Sequence, residues 1–176
     1  MSVRIAWLLA CCALLAACAP LRVPFIPRHP PVARNHATVG DWRLDIARNR
    51  FSQDMTCRLR ARHKRAFYQA GAVAFRFDDD WDVAAAVYRI DGKEPRRWRE
   101  DLPELVRIGA PIDRGGVENA MRGLVWIPLR RLTEANSIAI QPRTDRVATT
   151  FHFRGLKGLY ETAIARGCFP DSRFVR

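Results

Sequence analysis

The side chains best suited to chemistry in this sequence are arginines that recur at every second position. Arg58, Arg60 and Arg62 alternate with a cysteine, a leucine and an alanine, so on a β-strand they project from one face. A guanidinium is a planar fork of N–H donors that pairs with phosphate and carboxylate groups. Lys64 and Arg65 follow directly. The sequence therefore predicts an anion-binding surface formed by Arg58, Arg60, Arg62, Lys64 and Arg65.

The whole chain is basic, with 30 Lys+Arg against 18 Asp+Glu and a formal net charge of +12. Such an excess is typical of proteins that meet phosphate-rich partners. The aromatic residues that could stack on bases, Phe75, Phe77, Phe151 and Phe153, alternate as on a buried strand face, so nucleic acid is not the expected partner. Two interpretations stay open: the arginines bind an anionic partner, or they are incidental charges on a solvated surface.

Two further segments contain residues suited to ligand binding. The acidic run from Asp78 to Asp82 lacks the alternating oxygens and the glycine of a calcium loop, which favours a solvated turn over a metal site. The stretch from Gly109 to Leu124 has no periodicity and is the best candidate for a functional loop. Its candidate residues are Asp113, Glu118 and Asn119, although its glycine pair lacks the lysine and hydroxyl of a phosphate-binding loop.

Motifs of catalytic chemistry are not found. The sequence contains neither GxSxG nor HExxH, and His63 lies among basic residues that offer no carboxylate to orient it. His29 and His36 do not have a metal-ligand spacing. We therefore expect a non-catalytic protein without metal or cofactor, and a hydrolase is the least favoured alternative.

The N-terminus has the pattern of a targeting segment. Arg4 is followed by an apolar run, Ile5–Ala17, that is shorter than the ~20 residues a spanning helix needs. The run ends in Leu15-Ala16-Ala17-Cys18, which resembles the bacterial lipobox. The resemblance implies that residues 1–17 are a lipoprotein signal peptide and that Cys18 is lipidated, so that lipid chains anchor the protein to a membrane. The alternative is an ordinary secreted protein cleaved nearby.

The region after Cys18 indicates the place and the layout of the mature chain. Ala19 stands where inner-membrane lipoproteins generally carry Asp, so we expect an outer-membrane lipoprotein that faces the periplasm. Residues 18–40 are rich in proline, which favours extended polyproline II and predicts a tether. Residues 41–170 are predicted to form a single β-rich domain, and residues 171–176 a basic tail.

Two cysteines, Cys57 and Cys168, remain once the N-terminal segment is set aside. In an oxidising compartment they allow one pairing, so the sequence predicts a Cys57–Cys168 disulfide. We expect the bond to be structural because a Cys-x-x-Cys context is absent. Closing so long a loop stabilises a fold by ~4 to 5 kcal/mol in the chain-entropy model.

Alternation of apolar and polar residues predicts a mainly β fold, with β-sandwich-like sheets and two or three short helices, including a C-terminal amphipathic helix. The predicted strands are Trp42–Ala47, Cys57–Arg62, Ala72–Phe77, Val83–Ile90, Gly123–Ile127, Ser137–Gln141 and Val147–Phe153. A turn is predicted at Asp91-Gly92. Three helices are predicted. The first begins with a capping box at Asp101 and Glu104 and ends near Gly109. The second begins at Pro128 and ends near Ala135, and the third begins at Leu156 and ends near Gly167.

The order of several patterns resembles the invasion-associated locus B group of secreted bacterial proteins. The likeness is carried by Trp42 and Cys57, then by Val125-Trp126-Ile127-Pro128-Leu129, Ile138-Ala139-Ile140, Phe151-His152-Phe153-Arg154-Gly155-Leu156 and the closing Gly167-Cys168. Members usually have a further cysteine pair in mid-domain, which this chain lacks. The resemblance implies a small disulfide-bonded β-rich periplasmic or surface domain without a known catalytic centre, and it transfers no functional residue.

These patterns together predict an outer-membrane lipoprotein whose domain binds an anionic envelope component, or a protein partner, through its arginine strand face. The first alternative is a structural or assembly accessory with incidental charge. The second is a hydrolase that acts on envelope polymers at the Gly109–Leu124 loop.

Overall fold

A computed structural model describes residues 32–49, 52–78, 81–112 and 123–169. These residues form two antiparallel β-sheets and few helices, which confirms the mainly β fold that the alternation predicts. The first sheet has six strands and the second has four.

The strands and helices are short, because turn residues separate the alternating segments of the sequence. The strands are β1 (Val32–Val39), β2 (Trp42–Asn49), β3 (Met55–Ala61), β4 (Ala66–Gln69), β5 (Ala72–Arg76), β6 (Val87–Ile90), β7 (Arg96–Arg97), β8 (Leu124–Pro128), β9 (Ser137–Gln141) and β10 (Thr149–His152). The first sheet has the strand order β1-β2-β3-β4-β5-β8, and the second has the order β10-β9-β6-β7. The α-helices are α1 (Leu102–Arg107) and α2 (Leu156–Ala165), and 3₁₀ helices span Trp98–Asp101 and Leu129–Arg131.

The core lies between the two sheets and is rich in aromatic rings. Phe75 on β5 contacts Phe151 on β10 with ring centroids 4.8 Å apart, and Trp42 on β2 lies 6.3 Å from Phe153. Ile138 and Ile140 on β9 are fully buried. Burial of a large apolar side chain contributes roughly 1.5–3 kcal/mol, so these inward-facing residues hold the sheets together.

Helix α2 ends where the sequence predicts, and its end positions a cysteine. Gly167 has a φ of +79°, its N–H donates to the carbonyl of Ile164, and the N–H of Cys168 donates to the carbonyl of Ala163. This is a Schellman motif. It directs Cys168 toward β3, where its Sγ lies 2.05 Å from that of Cys57, consistent with the predicted disulfide across 111 positions of sequence. Cys168 is buried and Cys57 is half-buried.

Strand β1 lies within the segment for which the prolines predict a tether. Residues 32–40 were assigned to the tether, but Val32–Val39 pairs with β2 along its whole length, from Val32 opposite Asn49 to Val39 opposite Trp42. The prolines of this region stop at Pro31, so every residue of β1 retains the backbone N–H that a ladder needs. The described part of the first sheet therefore begins at Val32.

A predicted strand start and a predicted helix differ from the structure, whereas α1 begins directly after Asp101 as the sequence predicts. The strand predicted from Val83 begins at Val87, since the Asp82 carboxylate accepts the N–H of Ala84 at 2.8 Å and forms a turn. Asp101 makes no capping hydrogen bond to α1. The helix predicted from Pro128 is reduced to the 3₁₀ turn Leu129–Arg131, and strands β4 and β7 were not predicted.

Two glycines let the β1–β2 turn approach the start of α2. Gly40 has a φ of +56° and Gly155 a φ of +95°. Residues other than glycine rarely adopt this region of backbone conformation. A Cβ atom on Gly155 would overlap the carbonyl oxygen of Val39, and one on Gly40 would overlap that of Arg154. The N–H of Asp41 donates to this Arg154 carbonyl at 2.9 Å.

Replacing Gly155 by alanine is therefore expected to lower the free energy of unfolding by more than about 2 kcal/mol, because backbone strain and steric overlap add. The measurement is urea unfolding followed by circular dichroism. The matched control is Gly158→Ala in α2, where a Cβ meets no atom within 4 Å, and which should raise stability by up to about 1 kcal/mol. Equal midpoints for the two variants would contradict the close approach.

Candidate anion-binding site

The outward surface of the first three strands carries polar side chains that sequence alternation places together. Asp45 on β2 lies opposite Arg58 on β3 and His36 on β1, while Arg43 lies opposite Arg60. Trp42, Leu44 and Ile46 are buried on the other side. We call the surface formed by His36, Arg43, Asp45, Arg58 and Arg60 the β1–β3 face; it lines an open cavity of about 730 Å³.

Asp45 is the centre of the charges on the β1–β3 face. Arg43 Nε donates to its Oδ1 at 2.6 Å, and Arg60 Nη2 lies 3.0 Å from its Oδ2. Partial burial by itself would raise the pKa of this carboxyl, but the hydrogen bonds from Arg43 and then Arg60 outweigh it and the pKa is lowered. Arg58 is exposed and has no carboxylate partner within the described ranges.

The other predicted anion-binding residues lie beyond the end of β3. Arg62 and Lys64 are exposed in the β3–β4 connection, and Lys64 has a φ of +61°. Arg65 lines a different cleft together with Arg76 and Arg146. The structure therefore places the predicted cluster in three surroundings: Arg58 and Arg60 on the sheet face, Arg62 and Lys64 in the turn, and Arg65 in the cleft.

Several arginines outside this cluster are held in ion pairs that sequence reasoning missed. Asp101 is fully buried and bonded to Arg96 Nε at 3.1 Å and Arg131 Nη2 at 3.0 Å. The Tyr88 hydroxyl donates to the same carboxylate at 2.6 Å, and burial, then this bond, raises the pKa of Tyr88. The residues are widely spaced in sequence, and the Asp101–Glu104 spacing suggested a capping box instead.

Other candidate residues take no part in the β1–β3 face. Cys18, Asp113, Glu118 and Asn119 lie outside the described residues. His152 is exposed on β10. Within the part of the chain that the structure describes, no three His, Cys, Asp or Glu side chains lie close enough to hold a metal ion. Neither described α-helix has the length and apolar character that crossing a bilayer requires.

Asp45→Asn should strengthen anion binding at neutral pH several-fold, because it removes the carboxylate that engages Arg43 and Arg60. Isothermal titration with tripolyphosphate at low salt measures the effect. The stability cost should be at most about 1 kcal/mol, since both ion pairs are partly exposed.

The pH dependence provides the control for Asp45→Asn. A carboxyl whose pKa is lowered by folding stabilises the fold above its unfolded value of 3.8, and that contribution is lost as pH falls through the folded pKa. The stability advantage of the parent over Asp45→Asn should therefore shrink as the pH falls below about 4, which acid unfolding of both proteins measures. Unchanged or weaker tripolyphosphate binding by the variant would contradict the inference that Asp45 competes with anions for Arg43 and Arg60.

The chain was also compared with known proteins. No family model, no curated protein and no solved structure matches it.

Proposed function

We propose that this protein is an outer-membrane lipoprotein, facing the periplasm, whose β-rich domain binds an anionic envelope component through the β1–β3 face. The observation that carries the proposal is the charge of that face. Arg43, Arg58 and Arg60 line the cavity together with the carboxylates of Asp45 and Asp54, so a net positive charge remains. Arg58 supplies a guanidinium that no described carboxylate neutralises.

The form of the surface supports recognition of phosphate or carboxylate groups. The backbone of β2 and β3 is fixed by a seven-pair register from Trp42 opposite Ala61 to Arg48 opposite Met55, and groups carried by a rigid sheet are better positioned than groups on loops. Asp45 occupies Arg43 and Arg60, so Arg58 is the guanidinium of this face that an incoming anion meets without displacing a carboxylate.

The proposed location rests on the N-terminal sequence and agrees with the cysteine pair. Leu15-Ala16-Ala17-Cys18 resembles a lipobox, and the resemblance to the invasion-associated locus B group likewise implies export. Sulfur atoms of Cys57 and Cys168 at bonding distance are what an oxidising compartment such as the periplasm would produce. Lipidation at Cys18 would keep the domain at the membrane, close to anionic lipids and polymers.

A second candidate function is that of a structural or assembly accessory with a protein partner. The observation that favours it is the internal use of arginines: Arg96 and Arg131 contact Asp101, and Arg130 contacts Glu104. Part of the positive charge of the chain therefore stabilises the fold and needs no external anion. The hydrolase at residues 109–124 remains the least favoured alternative.

Replacing Cys18 by serine should release the protein from the membrane fraction, because serine cannot receive the thioether-linked lipid. The measurement is fractionation of cells into membranes and soluble periplasm, with detection by immunoblot. The control is Cys57→Ser, which leaves the lipobox intact and should stay with the membranes. A Cys18→Ser protein that remains in the membrane fraction would refute the lipid anchor.

Arg58→Gln should weaken binding to purified lipopolysaccharide at least threefold at low ionic strength, and raising the salt should remove most of the difference. Arg107→Gln is the matched control, because Arg107 is exposed on α1 and is not among the residues that line the cavity. An equal loss in both variants would favour incidental charge and the accessory function. Binding that ignores salt and survives Arg58→Gln would overturn the proposed face.

A further inference from the structure

A second basic cleft lies apart from the β1–β3 face, and three segments of the chain form it. Arg65 comes from the β3–β4 connection, Arg76 from the end of β5, and Arg146 from the β9–β10 connection. Asp78 and Trp81 line it as well, and its volume is about 510 Å³. We call this the Trp81 cleft.

Two of the three arginines that line the Trp81 cleft have their guanidinium groups over aromatic rings. Arg146 Cζ is 4.8 Å from the centroid of a Trp81 ring, and Arg76 Cζ is 6.0 Å from the centroid of Phe67. Trp81 is itself stacked with Phe77, with centroids 6.3 Å apart and planes at 19°. A cation over an aromatic face gains about 0.5–1 kcal/mol at an exposed site, so the rings restrict the orientation of both guanidinium planes.

The backbone that carries these side chains is held by hydrogen bonds. The N–H of Arg76 donates to the carbonyl of Arg65 at 2.7 Å, and Gly123 donates to the carbonyl of Trp81 at 2.9 Å. Gln141 Nε2 donates to the carbonyl of Arg146 at 3.0 Å. The N–H of Arg146 in turn donates to Arg143. Hydrogen bonds therefore fix the backbone of the segments that carry the three arginines.

The arginines of the cleft are not neutralised within the described residues. Arg65 and Arg76 form no ion pair there, and Asp78 pairs with none of the three. Arg146 approaches only Asp145, at 3.9 Å, and that carboxylate already accepts two hydrogen bonds from Arg143 at 2.9 and 3.1 Å. Among the described residues that line the cleft, three arginines therefore stand against one carboxylate, that of Asp78.

We propose that the Trp81 cleft binds a phosphate monoester group, carried by a soluble molecule or polymer or by a lipid headgroup. A monoester has close to two negative charges at neutral pH and three acceptor oxygens, which suits guanidinium groups approaching from three segments. A carboxylate has one charge and two oxygens in a single plane, so it would leave one arginine unpaired. This site does not depend on the proposed location of the protein or on the β1–β3 face.

The first experiment measures binding of glycerol 2-phosphate to the full chain, with its disulfide formed, by titration calorimetry at constant ionic strength. Arg65→Gln and Arg146→Gln should each lower the affinity at least fivefold. Arg89→Gln, an exposed arginine on β6 that does not line the cleft, should leave it unchanged, and Asp78→Asn should raise it. Thermal unfolding of each variant shows whether the fold is retained.

Arg146→Lys tests whether binding needs the planar guanidinium group or only its positive charge. Lysine retains the positive charge but loses the planar fork that lies over Trp81, so its affinity should fall about as far as that of Arg146→Gln. An affinity equal to that of the parent, or equal affinity for acetate and glycerol 2-phosphate, would overturn the proposal. Loss of binding in Arg58→Gln but not in Arg146→Gln would place the ligand on the β1–β3 face and would also overturn it.

Vesicles identify the source of the phosphate group. Phosphatidic acid carries a monoester headgroup, whereas phosphatidylglycerol carries a diester of lower charge. Arg146-dependent binding to phosphatidic acid vesicles at least fivefold tighter than to glycerol 2-phosphate supports the site and assigns a lipid. Similar affinity for the two assigns a soluble or polymeric monoester. Binding to neither, with the variants still folded, would refute the site.

Discussion

The buried carboxylate of Asp101 is the constraint on which the assembly of the two sheets depends. An unpaired charge in a protein interior costs several kcal/mol, so the fold is stable only when its partners are present together. Those partners, Tyr88, Arg96 and Arg131, come from β6, from β7 and from the 3₁₀ helix after β8. The second sheet, the start of α1 and the segment after β8 are therefore energetically coupled through one carboxylate. Trp98 adds to this link, because its indole N–H donates to the carbonyl of Trp126 at 2.6 Å.

Ion pairs with Asp101 and Glu104 account for part of the basic residues of the chain. Arg96, Arg130 and Arg131 are bound to Asp101 and Glu104, so they balance carboxylates that the fold places at its helical segment. Arg58, Arg65 and Arg76 have no such partner within the described ranges. The basic excess is therefore not uniform: one part is structural, and the other part is concentrated at an open strand face and at a cleft with aromatic walls. The net charge alone does not distinguish the structural arginines from the unpaired ones.

Features that repeat locally could be predicted from the sequence, and features that join distant segments could not. Alternation is visible in β2 and β3, where inward residues such as Leu44 and Leu59 are buried as predicted, and Gly167 marks the end of α2. Strand β1 was missed because nearby prolines suggested a tether. The bonds of Asp101 and the rings under Arg76 and Arg146 connect residues with no common spacing, so no local pattern indicates them. The register that brings such residues together is set by packing.

Strand β3 couples the two basic regions, and the cysteine pair determines its register. Cys57 shares the inward side of β3 with Leu59, while Arg58 and Arg60 face outward. A slip by one residue would turn every side chain of the strand to the opposite face, which would bury both arginines and move Cys57 away from Cys168. It would also shift the β3–β4 connection and withdraw Arg65 from the Trp81 cleft. A bond between Cys57 and Cys168 therefore stabilises more than the folded state against the unfolded chain: it selects the one pairing of β3 in which both basic surfaces exist.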